Sequence, residues 1–92
     1  IIALKPADSA VVARAHNGRG QAFVGLKKYE RAAAEYREAI RRDPKQPGYY
    51  LNLGTTYLAM GKKAQAQQVY NTLLTLDRQK AQQLYAEINK MK

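Results

Sequence analysis

Two stretches of this chain carry matching residues 34 positions apart. Tyr50, Gly54, Tyr57, Ala66 and Tyr70 fall, one period earlier, on His16, Gly20, Phe23, Ala32 and Tyr36. A repeat on this scale means a fold assembled from like units, none of which buries its apolar face without a neighbour. The anchors recur at helical spacing, so each unit is read as a pair of helices.

Along the chain, apolar periodicity and glycine or proline punctuation predict five helices, over about 10–24, 29–42, 48–60, 63–76 and 78–90. Ser9 or Asp8 is the expected N-cap of the first, whose packing stripe is Val12, His16, Gly20 and Phe23. Pro6 precedes Gly20 by 14 positions and Pro44 precedes Gly54 by 10, so the first helix or its approach is longer by about a turn. Gly18, Gly20 and Gly25 each disfavour a helix by roughly 1 kcal/mol relative to alanine, which marks the first helix as the least rigid.

Leu26 to Lys28 form the first turn, and Ala32, Ala33, Tyr36, Ala39 and Ile40 the buried stripe of the second helix. Pro44 stops that helix, and Lys45-Gln46-Pro47-Gly48 is a breaker-rich connection. The third helix packs through Tyr50, Leu53, Gly54 and Tyr57 and stops at Gly61. Ala66, Val69, Tyr70, Leu73 and Leu74 are expected to be buried in the fourth. The fifth sets Ala81, Leu84, Ile88 and Met91 along one side and polar residues along the other. It has neither the glycine nor the paired aromatics of the repeat, as befits a helix that closes the open end of an array.

Aromatic-x-x-x-Gly-x-x-aromatic followed by Ala-x-x-x-aromatic, at this period, resembles the tetratricopeptide repeat (TPR) family. The resemblance spans about residues 13–78. It implies an all-α, right-handed helical-repeat solenoid of antiparallel helix pairs with a C-terminal capping helix. The boundaries expected are one domain over 1–92, with a remnant of a preceding repeat at 1–6, repeats at 9–46 and 47–77, and the cap at 78–92. Ile2 to Pro6 reads much like Ile40 to Pro44, so the chain is expected to be the C-terminal fragment of a longer repeat protein. Departures from the family pattern are His16 and Arg19 for an aromatic and leucine, Lys27 for a turn glycine, Leu73 for alanine, and Arg78 for the closing proline.

In this family the first helix of each repeat lines a concave groove that holds a partner segment. By repeat position the resemblance assigns to that groove Arg14, Asn17, Gln21 and Val24, then Leu51, Asn52, Thr55, Leu58 and Ala59, and finally Gln82, Tyr85 and Asn89. An asparagine amide both donates and accepts, which suits a bound backbone, while Leu51, Leu58 and Tyr85 would offer apolar area. One branch of the family clamps a partner's C-terminal carboxylate with cations on the groove helices plus Asn. Asn52 matches one such Asn, but Gln82 and Ala86 stand where that branch needs cations, which argues against a clamp.

No catalytic set emerges. His16 is the single histidine and its nearest acid in sequence, Asp8, lies two turns away, so it is read as an interhelical packing residue. With no cysteine there is no disulfide framework or thiolate metal site, and redox chemistry assigns no compartment. Gly20-x-x-x-x-Gly25-Leu26-Lys27 grazes the phosphate-loop pattern, but the lysine is one place late, no Ser or Thr follows and no strand precedes. No cofactor is expected. The mean hydropathy of −0.58 and the lack of a long apolar run exclude a membrane-spanning helix.

Sixteen basic against seven acidic residues, a net charge of +9, bias the chain toward acidic partners. Its cations gather in pairs at turns and helix ends, where some complement the helix dipole. The leading expectation is a protein-interaction scaffold or adaptor whose partner is another protein or peptide, with the net charge favouring an acidic one. A second is self-assembly into a homo-oligomer through an open apolar N-terminal face. A third, binding of nucleic acid or an anionic membrane by the basic surface, is disfavoured because no binding module is recognised and the tyrosines are committed to packing.

Overall fold

The structure, a computed structural model, describes residues 6–90. Within them lie five helices and no strand: α1 (Pro6–Gly25), α2 (Tyr29–Arg42), α3 (Pro47–Ala59), α4 (Lys63–Leu76) and α5 (Arg78–Lys90). Each helix packs on the next, and α3 also packs on α5. The Cα envelope measures 49 × 30 × 16 Å. The expected remnant at 1–6, apart from Pro6, and Met91 of the expected α5 stripe lie outside the described residues.

α2, α4 and α5 form over the expected stretches. The additional turn before Gly20 is helical, since Pro6 opens α1 and its fixed φ suits a first turn. Ser9 is therefore inside the helix and not its N-cap. Its hydroxyl donates instead to the Arg42 carbonyl at 2.7 Å, satisfying an orphan acceptor in the last turn of α2. Pro47 likewise takes the first turn of α3, one residue before the expected start at Gly48.

The turns after α1 and α3 are copies of each other. Lys28 N–H donates to Phe23 and Lys27 N–H to Val24 in one, Lys62 N–H to Tyr57 and Gly61 N–H to Leu58 in the other. This is the Schellman arrangement, which needs a left-handed residue. Gly61 supplies φ 73°, and Lys27 is forced to φ 60° at the matching place. Asp77 alone separates α4 from α5, and its carboxylate accepts from Lys80 N–H at 3.1 Å as the N-cap of α5.

The core runs through Ala32, Ala33, Tyr36, Leu53, Leu58, Ala66, Val69, Leu73, Ala81, Leu84 and Ile88. A smaller cluster of Ala13, Ala39 and Tyr49 locks α1 and α2 to the start of α3. Burial departs from expectation at several positions. Ile40 of α2 and Tyr70 of α4 are only half-buried. Tyr49 and Thr56 are buried in α3, whereas Tyr50 and Tyr57 are only half-buried. Leu74 of α4 is exposed. Tyr50 keeps its hydroxyl at the surface to donate to the Pro44 carbonyl at 2.8 Å.

The two repeat glycines serve different contacts. A Cβ at Gly20 would stand 2.7 Å from the Tyr36 ring, so it permits the close approach of α1 and α2 within one helix pair. A Cβ at Gly54 would stand 2.5 Å from Leu84 of α5, so here the glycine receives the capping helix.

Candidate partner-binding groove

Stacking of the repeats brings α1, α3 and α5 together along one side. Asn52 Nδ2 donates to Asn17 Oδ1 at 2.8 Å, joining α1 to α3. Beside this bond a hollow of about 380 Å³ is walled by Gln21 and Val24 of α1, Tyr29 and Tyr36 of α2, and Asn52, Thr55, Thr56 and Ala59 of α3. A second, of about 450 Å³, sets Leu51, Asn52 and Thr55 across from Gln83, Ala86 and Glu87 of α5. Asn52 and Thr55 border both, so the two adjoin along α3 as one candidate groove.

Chemically the groove is close to neutral. Gln21, Asn52, Thr55 and Gln83 provide donors and acceptors, and Val24, Leu51, Ala59 and Ala86 provide apolar wall. Glu87 is its one carboxylate, with Lys90 Nζ at 3.2 Å. Two wall hydroxyls are already directed inward to backbone, as Thr55 and Thr56 both donate to the Asn52 carbonyl, at 3.0 and 2.7 Å. Burial pushes the Tyr36 phenol above its usual pKa.

Of the residues assigned by repeat position, Gln21, Val24, Leu51, Asn52, Thr55 and Ala59 line this groove, and Asn17 braces it from below. Five placements change. Leu58 stands one turn beyond Gly54, on the side that α5 covers, and is buried in the core. Tyr85 lies instead against Tyr70 of α4, with ring centroids 5.3 Å apart. The α5 wall is consequently Gln83, Ala86 and Glu87, and not Gln82, Tyr85 and Asn89. Arg14 is exposed, with its charge acting on Tyr49. The Tyr49 phenol is nevertheless raised, by burial first and by Asp43 second, against the opposing pull of Arg14.

His16 is half-buried between α1 and α2, where its Nδ1 meets Glu35 Oε1 at 2.7 Å. Arg19 approaches the other carboxylate oxygen at 3.4 Å. This pairing ties the first two helices, in keeping with a packing role. Sequence proximity pointed to Asp8; the fold supplies Glu35 because positions 19 apart face each other across a helix hairpin. Among the described residues no group of three or more His, Asp and Glu could hold a metal, and no helix is long and apolar enough to cross a membrane.

A further hollow, of about 410 Å³, lies between α2 and α4 over α3. Its floor is Ile40, Tyr50, Leu53, Tyr57 and Val69, side chains engaged in packing the repeats. Its cations are likewise engaged. Arg37 donates to the Tyr57 hydroxyl at 3.1 Å, and Arg41 pairs with Glu38, whose carboxyl it holds below the usual range chiefly by hydrogen bonding.

The family described as TPR repeat matches residues 20–61, and that described as tetratricopeptide repeat matches residues 47–80. No curated protein matches the sequence at a significant level. Among solved structures, the TPR2B domain of yeast Sti1, in a pHsp70 complex, superposes with a TM-score of 0.80 at 24% identity. The match covers 88% of this chain and 71% of that one.

Proposed function

The chain belongs to the tetratricopeptide repeat family, and from that premise we propose that the groove of α1, α3 and α5 holds a segment of a partner protein. Repeats of this family are non-enzymatic scaffolds for protein–protein interaction. The observation that carries the reading is that Asn52 and Thr55 line both hollows, which sets the two side by side along α3. Amide and hydroxyl groups spaced along that track suit a peptide backbone, and the apolar wall between them suits its side chains. The Sti1 domain is solved with pHsp70, which supports a protein partner in kind. The groove lining holds no Lys or Arg to receive a terminal carboxylate, so the identity of that domain's partner is not transferred.

Selection of a displayed random-peptide library on this chain tests the reading. Thr55 is exposed at the join of the two hollows, so Thr55→Arg fills the groove without disturbing the core. The expected result is that selected peptides lose at least about tenfold in affinity, equivalent to about 1.4 kcal/mol, on Thr55→Arg. Peptides that bind the variant unchanged place the binding surface elsewhere.

A further inference from the structure

The groove opens at one end onto a mouth of different character. Tyr29 borders the hollow between α1 and α3 and also an opening of about 450 Å³ with Lys27, Lys28, Arg31, Met60 and Lys62. Ala59 and Met60, adjacent in α3 and its cap, border one each. Across Tyr29 the lining thus passes from neutral to four cations, relieved by one acid, Glu30.

The other six acids of the chain are used elsewhere on the fold or lie outside this opening. Glu35 faces His16 and Arg19, Glu38 faces Arg41 and Arg42, Glu87 faces Lys90, and Asp77 caps α5. Among the described residues no ion pair engages Lys27, Lys28, Arg31 or Lys62. One of these cations is positioned by a side-chain contact: the Arg31 guanidinium sits 6.0 Å from the Phe23 ring centroid. The left-handed turn sets the backbone of Lys27 and so the edge from which its side chain leaves. Like charges gathered in one opening oppose each other and favour an anion between them.

We propose that this mouth receives the acidic part of the partner segment. A peptide lying in the groove, on which this inference rests, crosses Tyr29 and sets Asp or Glu carboxylates against Lys27, Lys28, Arg31 and Lys62. The groove lining beyond Tyr29 carries no Lys or Arg, so the cations of the mouth set the direction of the bound segment, with its acidic end at the turn edge. Arg31 offers a planar fork for a carboxylate and the lysines offer mobile point charges. A peptide fits better than a nucleic acid because the cations crowd one opening that leads into a neutral track, and do not form a stripe along a helix or face.

The probe is a fluorescein-labelled peptide with a block of glutamates followed by a neutral half, compared with its glutamine isostere on the 92-residue chain. Anisotropy reads affinity, and amide shift mapping reads location. Lys28 and Lys62 are exposed N-cap residues without side-chain cap bonds, so Lys28→Glu with Lys62→Glu reverses charge and leaves the packing intact. The expected result is binding at least about tenfold tighter for the glutamate peptide, weakening with salt and lost in the double variant. Shifts should run from Lys28 and Lys62 across Tyr29 to Gln21 and Thr55. Shifts in the groove with equal affinity of both peptides overturn the acidic mouth and leave the groove reading standing. Salt-sensitive shifts at the mouth alone uphold the mouth and overturn the groove reading. A uridine oligonucleotide that displaces the glutamate peptide at lower concentration overturns the proposal in favour of nucleic acid.

Discussion

Substituting alanine at Gly54 and at Gly18 makes the same chemical change in two helices with opposite expected outcomes. At Gly18 an added Cβ meets nothing within 4 Å, so only the backbone responds. Alanine there should stabilise the protein by about 1 kcal/mol, the helix-propensity difference between the two residues. At Gly54 the same Cβ would lie 2.5 and 2.8 Å from the two Leu84 methyls, where ordinary contact begins near 3.4 Å. Leu84 is fully buried, so it has no solvent to move into and α5 must shift by nearly an ångström. Overpacking of this kind costs about 1–3 kcal/mol, which cancels or exceeds the propensity gain. Gly54→Ala should therefore lie about 1–3 kcal/mol below Gly18→Ala in urea unfolding. Leu84→Ala opens the space, so Gly54→Ala should be far less damaging in that background, a coupling that a double-mutant cycle reads directly. Equal stabilisation by both glycine substitutions would refute the close approach of α3 and α5.

Lys27→Gly should stabilise by about 0.5–1 kcal/mol, because the strain of a left-handed lysine exceeds the entropy glycine adds to the unfolded chain; thermal unfolding checks it. Asn52→Ala and Asn17→Ala should each cost about 0.5–1.5 kcal/mol and the double variant scarcely more, since they break the same bond. For pH dependence, burial raises the pKa of Tyr36, Tyr49 and Tyr50. Their folded forms hold the phenol proton more tightly than the unfolded chain, whose value is 10.0. The associated stability is thus complete below that pH and is lost as pH rises through the higher folded values. A urea midpoint that falls above that pH, and falls less in Tyr36→Phe, is the expected result.

The fold was legible because repetition and periodicity depend on which positions are apolar, and those positions also pack. Ala32, Ala39, Ala66, Leu73, Ala81 and Leu84 are all fully buried at expected places. The first-turn roles of Pro6 and Pro47 were hidden, because proline ends one helix as readily as it opens the next. Half of the groove was legible for a related reason. α1 and α3 are true repeats, so position carries over from one to the other. α5 is not a third copy, and sequence spacing identifies its buried stripe without saying which flank of the stripe faces α3. The fold turns Gln83, Ala86 and Glu87 toward α3 and Tyr85 toward Tyr70 of α4. The mouth was visible only as scattered lysine pairs, because Lys28 and Lys62 meet through a stacking that the sequence expresses as a 34-residue separation.

Amide shift mapping of a library-selected peptide on the labelled chain tests the central claim most directly, since the groove and the hollow between α2 and α4 share no lining residue. The account predicts perturbation centred on Gln21, Leu51, Asn52, Thr55, Ala59 and Ala86. Perturbation centred on Arg37, Tyr50, Tyr57 and Gln68 would contradict it and move the binding surface to α2 and α4.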